Sequence, residues 1–249
     1  MYLNFFILFF CALFAGLSVV LYPAISKKNF KVILAFSGSY LFSITVIHIL
    51  PELFHEAKDI TVTGIYVLAG FFLQMILEFF SSGVEHGHIH HSGHEHVPNK
   101  KILFGLLISL GLHSFLEGTL LVHPVHNHGS GHQLDSLLYG LIMHKIPEAV
   151  ALAAVLTYAF SKKTTVVFYL ILFSLASPLG MACSNIFYTS HLLPDNAFVF
   201  LFALVAGNFL YISTTIFFES SPNHQFKANK LLVSFLGAVM AIAAEKLFG

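Results

Sequence analysis

Apolar residues run along this chain in eight long blocks separated by short polar breaks. The blocks cover roughly residues 2–25, 31–56, 62–81, 101–122, 134–160, 165–188, 196–219 and 230–248, with edges good to about 2–4 residues. Each is near twenty residues long, the length that crosses a hydrocarbon core of about 30 Å. The blocks are continuous and show no period-two alternation, which predicts helices and argues against barrel strands. A helix also satisfies its own backbone hydrogen bonds where water is absent. The expected fold is all-α: a polytopic membrane protein, a bundle of eight transmembrane helices forming a single domain over residues 1–249. The first block lacks a charged start and runs directly into "SKKNFK", so it reads as a retained helix rather than a cleaved signal.

Composition agrees. The chain is 57% hydrophobic and only 10% charged, with a mean hydropathy of +0.81. A soluble domain carries about 25% charged residues, so this one has too little polar material to cover a wet surface. The lipid bilayer is its expected environment. The zero net charge conceals a bias. All 12 basic residues are lysines. Loops after spans 1, 3, 5 and 7 hold Lys27, Lys28, Lys31, Lys100, Lys101, Lys162, Lys163, Lys227 and Lys230, whereas the other side holds only Lys58 and Lys246. By the positive-inside rule the odd-numbered loops face the cytoplasm and both termini lie outside, as expected of a multi-pass protein of the plasma (inner) membrane. Cys11 and Cys183 sit singly in apolar runs and read as small buried residues. No GxxxxGKS stretch is present, so nucleotide-driven pumping is not expected, and nucleic acid is not an expected partner.

The chemistry lies in charges placed inside the spans. Span 2 contains "HILPE" (His48, Glu52), span 4 "HSFLE" (His113, Glu117) and span 5 "HKIPE" (His144, Glu148). Residues i and i+4 of an α-helix are separated by about 40° and about 6 Å of rise. Each pair therefore presents an imidazole and a carboxylate on one face. A charge at the bilayer centre costs about 2.5–3.5 kcal/mol on insertion scales, so these carboxylates must face one another or a wet cavity with a compensating partner. Zn²⁺, Fe²⁺ and Mn²⁺ accept this set of nitrogen and oxygen donors. One such pair alone is more simply a hydrogen bond along a helix. Three pairs at one spacing, plus ten histidines in two loops, favour a metal. Pro147 and Pro51 lack N–H groups, which frees the carbonyls of Met143 and Ile47 beside two of the pairs.

These residues resemble the ZIP family of divalent-metal transporters. The family signature in helix 4, His-Asn-x-x-Glu-Gly, is matched by His113, Ser114, Glu117 and Gly118, and helix 5 matches at His144, Pro147 and Glu148. Helix 2 matches a His-x-x-Pro-Glu run at His48, Pro51 and Glu52, with weaker echoes in "ASPLGMA" (176–182) and "AGNFLYIS" (206–213). The resemblance implies eight helices, outward termini and a histidine-rich cytoplasmic loop between helices 3 and 4. It implies a central metal site of His113, Glu117, His144 and Glu148 where helices 4 and 5 meet, with Gly118 allowing close packing there. His48 and Glu52 become entrance or gate ligands.

Two positions depart from the family pattern. Ser114 stands where many members have Asn, and Lys145 where some have Asn or a carboxylate. In members with two adjacent metals those positions help hold the second ion. Ser is a weak ligand and an ammonium is itself a cation, so Lys145 is expected to replace the second metal electrostatically, leaving one transported ion. The alternative is that Lys145 snorkels or pairs elsewhere.

Two longer polar segments complete the picture. The cytoplasmic one, 82–100, carries His86, His88, His90, His91, His94 and His96 and would hold released ions weakly. The outer one, 123–133, carries His123, His126, His128 and His132. Both also fit plain polar linkers. The expected function is transport of a divalent transition metal, foremost Zn²⁺, with Fe²⁺, Mn²⁺ or Cd²⁺ as other substrates, from outside into the cytoplasm. No tightly bound cofactor is expected, and the protein is not expected to be an enzyme. The rival is an intramembrane zinc-dependent hydrolase, but "HEAKD" at His55 lacks the second histidine of HExxH. Gly- and Ala-rich spans would allow a homodimer.

Overall fold

The computed structural model describes residues 2–22, 27–81, 100–122, 133–192, 194–219 and 228–248. Among these residues there are eight long helices and no strand. The helices are α1 (Tyr2–Leu21), α2 (starting at Lys27–Ile44), α3 (Ile60–Ser81), α4 (Lys100–Thr119), α5 (Gln133–Ala159), α6 (Lys163–Thr189), α7 (Asp195–Glu219) and α8 (Ala228–Phe248). They match the eight apolar blocks nearly end for end. Six contain long apolar windows of membrane-crossing length, from Leu3–Leu21 to Ala197–Ile216, and α4 contributes a shorter one, Leu103–Thr119. Both histidine-rich segments lie outside the described residues except for their edges, so the loop ligands His86, His88, His90, His91, His94 and His96 have no described position.

Two prolines act differently. In α2 the α-helix gives way to a π-helical stretch, Thr45–Ile49, before a last α-helical segment, Leu50–Glu56, with Pro51 in its first turn. The Leu50 N–H bonds back to the Thr45 carbonyl, five residues away. A proline at 51 cannot supply the next amide donor, and the wider π turn absorbs the mismatch. Pro147 sits inside α5, which continues through it to Ala159.

The helices sort into two groups. In one, α4 packs on α6, and α1 and α5 pack on α6 and on each other; in the other, α3 packs on α7, and α2 on α7 and α8; the groups meet chiefly through α2–α5, α3–α4 and α5–α8. In a bilayer the surroundings are as apolar as leucine, so close backbone approach and hydrogen bonds hold helices together. Each group has a reciprocal glycine contact. A Cβ at Gly118 of α4 would lie 1.9 Å from the Ser177 carbonyl oxygen of α6, and one at Gly180 of α6 would lie 1.9 Å from the Phe115 oxygen of α4. In the other group Gly70 faces the Leu204 oxygen and Gly207 the Val67 oxygen, both at 1.8 Å by the same construction. These backbone contacts tie α4 to α6 and α3 to α7.

The polarity runs inside out. Phe6, Phe10, Phe14, Phe79, Leu232 and Phe235 are exposed, while His113, Ser114, Glu117, His144, Lys145 and Glu148 are buried. An apolar exterior around a charged centre is the arrangement lipid requires.

Candidate metal centre

α4 and α5 carry the central charges. The helical spacing puts His113 and Glu117 on one face of α4, with His113 Nε2 3.0 Å from Glu117 Oε1. From the same imidazole, Nε2 lies 3.9 Å from Glu148 Oε1 of α5. His144 Nε2 lies 3.7 Å from Glu117 Oε1, and the two imidazole rings stand edge to face, 5.8 Å between centroids. Each of His113, Glu117, His144 and Glu148 offers one ligand atom, and all four atoms fall within 4.8 Å of one another. Ligands around a tetrahedral zinc at about 2.1 Å sit about 3.4 Å apart, so a small inward movement of side chains would close the set on a cation. Glu148 Oε1 is buried and accepts no hydrogen bond among the described residues; a dication would satisfy it.

The second oxygens of the same carboxylates face a different partner. Lys145 Nζ donates to Glu117 Oε2 and, at 2.7 Å, to Glu148 Oε2. It also donates to Ser114 Oγ at 2.6 Å. Ser114 Oγ in turn lies 3.3 Å from Ser177 Oγ of α6, and the ammonium stands 5.3 Å from the centroid of the Phe173 ring. Lys145 is only 2% exposed, so it does not snorkel. Each glutamate therefore turns one oxygen toward the imidazoles and the other toward a buried ammonium. The ammonium holds both carboxylates in place and leaves their Oε1 atoms for a metal.

A second cluster sits on the other helix group. His48, in the π-helical stretch of α2, is 3.4 Å through Nε2 from Glu52 Oε2 and 2.8 Å through Nδ1 from Glu245 Oε1 of α8. His48 is buried, whereas Glu52 and Glu245 are 18% and 24% exposed. Gly140 of α5 packs against Tyr40 and Ile44 of α2, and as spans of opposite parity these helices run antiparallel. Counting from that contact at 1.5 Å per residue, His48 lies roughly 13 Å from His144 along the bundle, toward the end of α2.

One expectation needs correction. Gly118 does not serve packing between α4 and α5. Its bare face meets the Ser177 carbonyl of α6. The ligand side chains need room between α4 and α5, so the tight crossing falls on the opposite flank of α4. Three residues escaped the sequence reading: Ser177, Phe173 and Glu245. Ser177 and Phe173 carry no ligand-like signal. Glu245 did, as the sole acidic residue of span 8, but its neighbour Lys246 and its place near the span end made it resemble an ordinary helix terminus. Cys11 and Cys183 are free thiols and half-buried.

No curated protein matches this chain. A family model described as ZIP zinc transporter matches residues 86–244. That stretch contains the His113–Glu117 and His144–Glu148 pairs and the helices from α4 through most of α8. With a buried four-ligand centre inside an all-helical membrane bundle, and a family model spanning more than half its length, the chain belongs to the ZIP zinc transporter family, a family of multi-pass membrane proteins that move divalent metals.

Proposed function

We propose that this protein carries Zn²⁺ from outside into the cytoplasm, using His113, Glu117, His144 and Glu148 as the transport site. The observation that carries this reading is the convergence of their four ligand atoms within 4.8 Å in the buried centre. Neutral imidazole and carboxylate oxygen suit Zn²⁺, and the centre has no sulfur donor that would favour Cu⁺. Fe²⁺, Mn²⁺ and Cd²⁺ are the competing substrates. Lys145 occupies the place of a second ion and leaves room for one transported dication. The lysine distribution supports outward termini and inward movement across the plasma membrane. An inside-negative potential favours that direction by about 4.6 kcal/mol per 100 mV for a dication.

Zinc first meets the outer cluster, where His48 and Glu52 act as entrance ligands, joined by Glu245. Access alternates by movement of the α1–α4–α5–α6 group against the α2–α3–α7–α8 group, each tied internally by its glycine contacts. His86, His88, His90, His91, His94 and His96 hold released ions weakly on the cytoplasmic side. The whole chain, 1–249, works as one transport domain. The hydrolase alternative draws no support: the family is one of transporters, and HExxH is absent.

Purified protein in liposomes, assayed for uptake across a panel of divalent metals, tests the reading. Zinc should enter fastest, and Glu148→Ala should reduce its uptake at least a hundredfold. Equal uptake by wild type and Glu148→Ala would show that the central site is not the route.

A further inference from the structure

Lys145 is more than a static filler of a lost ion site, and its charge bears on how the carrier resets. The argument rests on the transport-site reading above. Around Lys145 Nζ lie two carboxylates, Glu117 and Glu148, all but inaccessible to solvent. His113 and His144 must be neutral to ligate metal. With both imidazoles neutral and both carboxylates ionised, the one ammonium brings the site without metal to −2 + 1 = −1. With a dication bound it sums to −1 + 2 = +1. Were Lys145 a neutral residue, the same sums would be −2 and 0.

The cost of moving a buried site through a low-dielectric barrier grows as the square of its net charge. Without the lysine, the loaded form moves with no such penalty, and the empty form meets four times the penalty of a single charge. With the lysine the two forms face penalties of equal size. We infer that Lys145 is a tethered counter-cation that lets the empty carrier return unaided, so that net zinc uptake needs no exchanged metal and no co-transported cation on the return step. The geometry suits this role. Nζ bonds the Oε2 atoms, while the Oε1 atoms face the imidazoles. Metal can therefore arrive and leave on one face while the ammonium remains on the other. Ser114 Oγ and the Phe173 ring hold that ammonium from behind. Neither carries a formal charge, so the balance is left to the lysine.

The test separates two modes of transport in proteoliposomes. Radioactive zinc uptake is measured into zinc-free vesicles, which requires return of the empty carrier, and into vesicles preloaded with unlabelled zinc, which does not. In wild type the two rates should agree within about threefold. In Lys145→Met the ratio of exchange to net uptake should rise at least tenfold, because only the empty return is penalised. Lys145→Arg, which keeps the charge, should bring the ratio back toward wild type. An unchanged ratio in Lys145→Met, or loss of both modes in a variant that still binds zinc, overturns the inference and leaves the transport site standing. If Lys145→Met does not fold, wild type alone decides: exchange tenfold or more above net uptake would mean the empty return is slow despite the lysine. Wild type that moves zinc in neither mode defeats the transport reading itself.

Discussion

Replacing Lys145 by methionine should make the central site bind zinc more tightly, although a lysine is not a metal ligand and its loss adds none. A zinc ion about 2.1 Å from Glu148 Oε1 would lie on the order of 5–6 Å from the ammonium that bonds the opposite oxygen of the same carboxylate. At an effective dielectric of about 20, a dication and an ammonium at that separation repel by about 6 kcal/mol. Removing the lysine removes this repulsion. It also leaves Glu117 and Glu148, both buried, facing each other without a cation, a strain that arriving zinc relieves. Side-chain relaxation reduces the gain, so a tightening of at least tenfold, about 1.4 kcal/mol, is the expected floor. The assay is equilibrium zinc titration of detergent-purified protein lacking residues 86–96, so that loop histidines do not obscure the central site. Wild type and Lys145→Met should each take one central equivalent, the variant more tightly. Two central equivalents in wild type, or zinc binding no tighter in the variant, would refute the electrostatic argument.

Other perturbations test other links. Gly118→Ala places a Cβ 1.9 Å from the Ser177 carbonyl oxygen, so α4 and α6 must part by roughly 1.5 Å to restore an ordinary contact. Glu117 precedes that glycine directly, and a displacement of about 1 Å in a positioned site costs on the order of a hundredfold; zinc flux should fall accordingly, and wild-type flux would show that the crossing is not rigid. Pro51→Ala restores an amide donor and should let ordinary α-helix replace the π-helical stretch, turning His48 away from Glu245. The apparent KM for zinc should rise several-fold with little change in maximal rate, whereas a fall in maximal rate alone would argue against an entrance role. Deleting residues 86–96 should alter apparent affinity or regulation and leave transport intact; complete loss of uptake would make those histidines part of the path.

Much of the architecture was legible in one dimension. Eight apolar blocks became eight helices because a chain in lipid must satisfy its backbone within each span, and block length is set by bilayer thickness. The facing of His113 with Glu117, and of His144 with Glu148, followed from the four-residue spacing alone. What stayed hidden depends on which helix stands beside which, and on how each is turned about its axis. Gly118 could be recognised as a contact residue, yet its partner on α6 was not readable, because small residues license a close approach without naming the neighbour. Lys145 was open to snorkelling or pairing until two helices brought Ser114, Glu117 and Glu148 around it. Glu245 is 197 residues from His48, and no local pattern links them. Spacing within a helix is a property of the local backbone and is written in the sequence; rotation and partnership arise from the joint packing of all eight helices, and only the tertiary structure decides them.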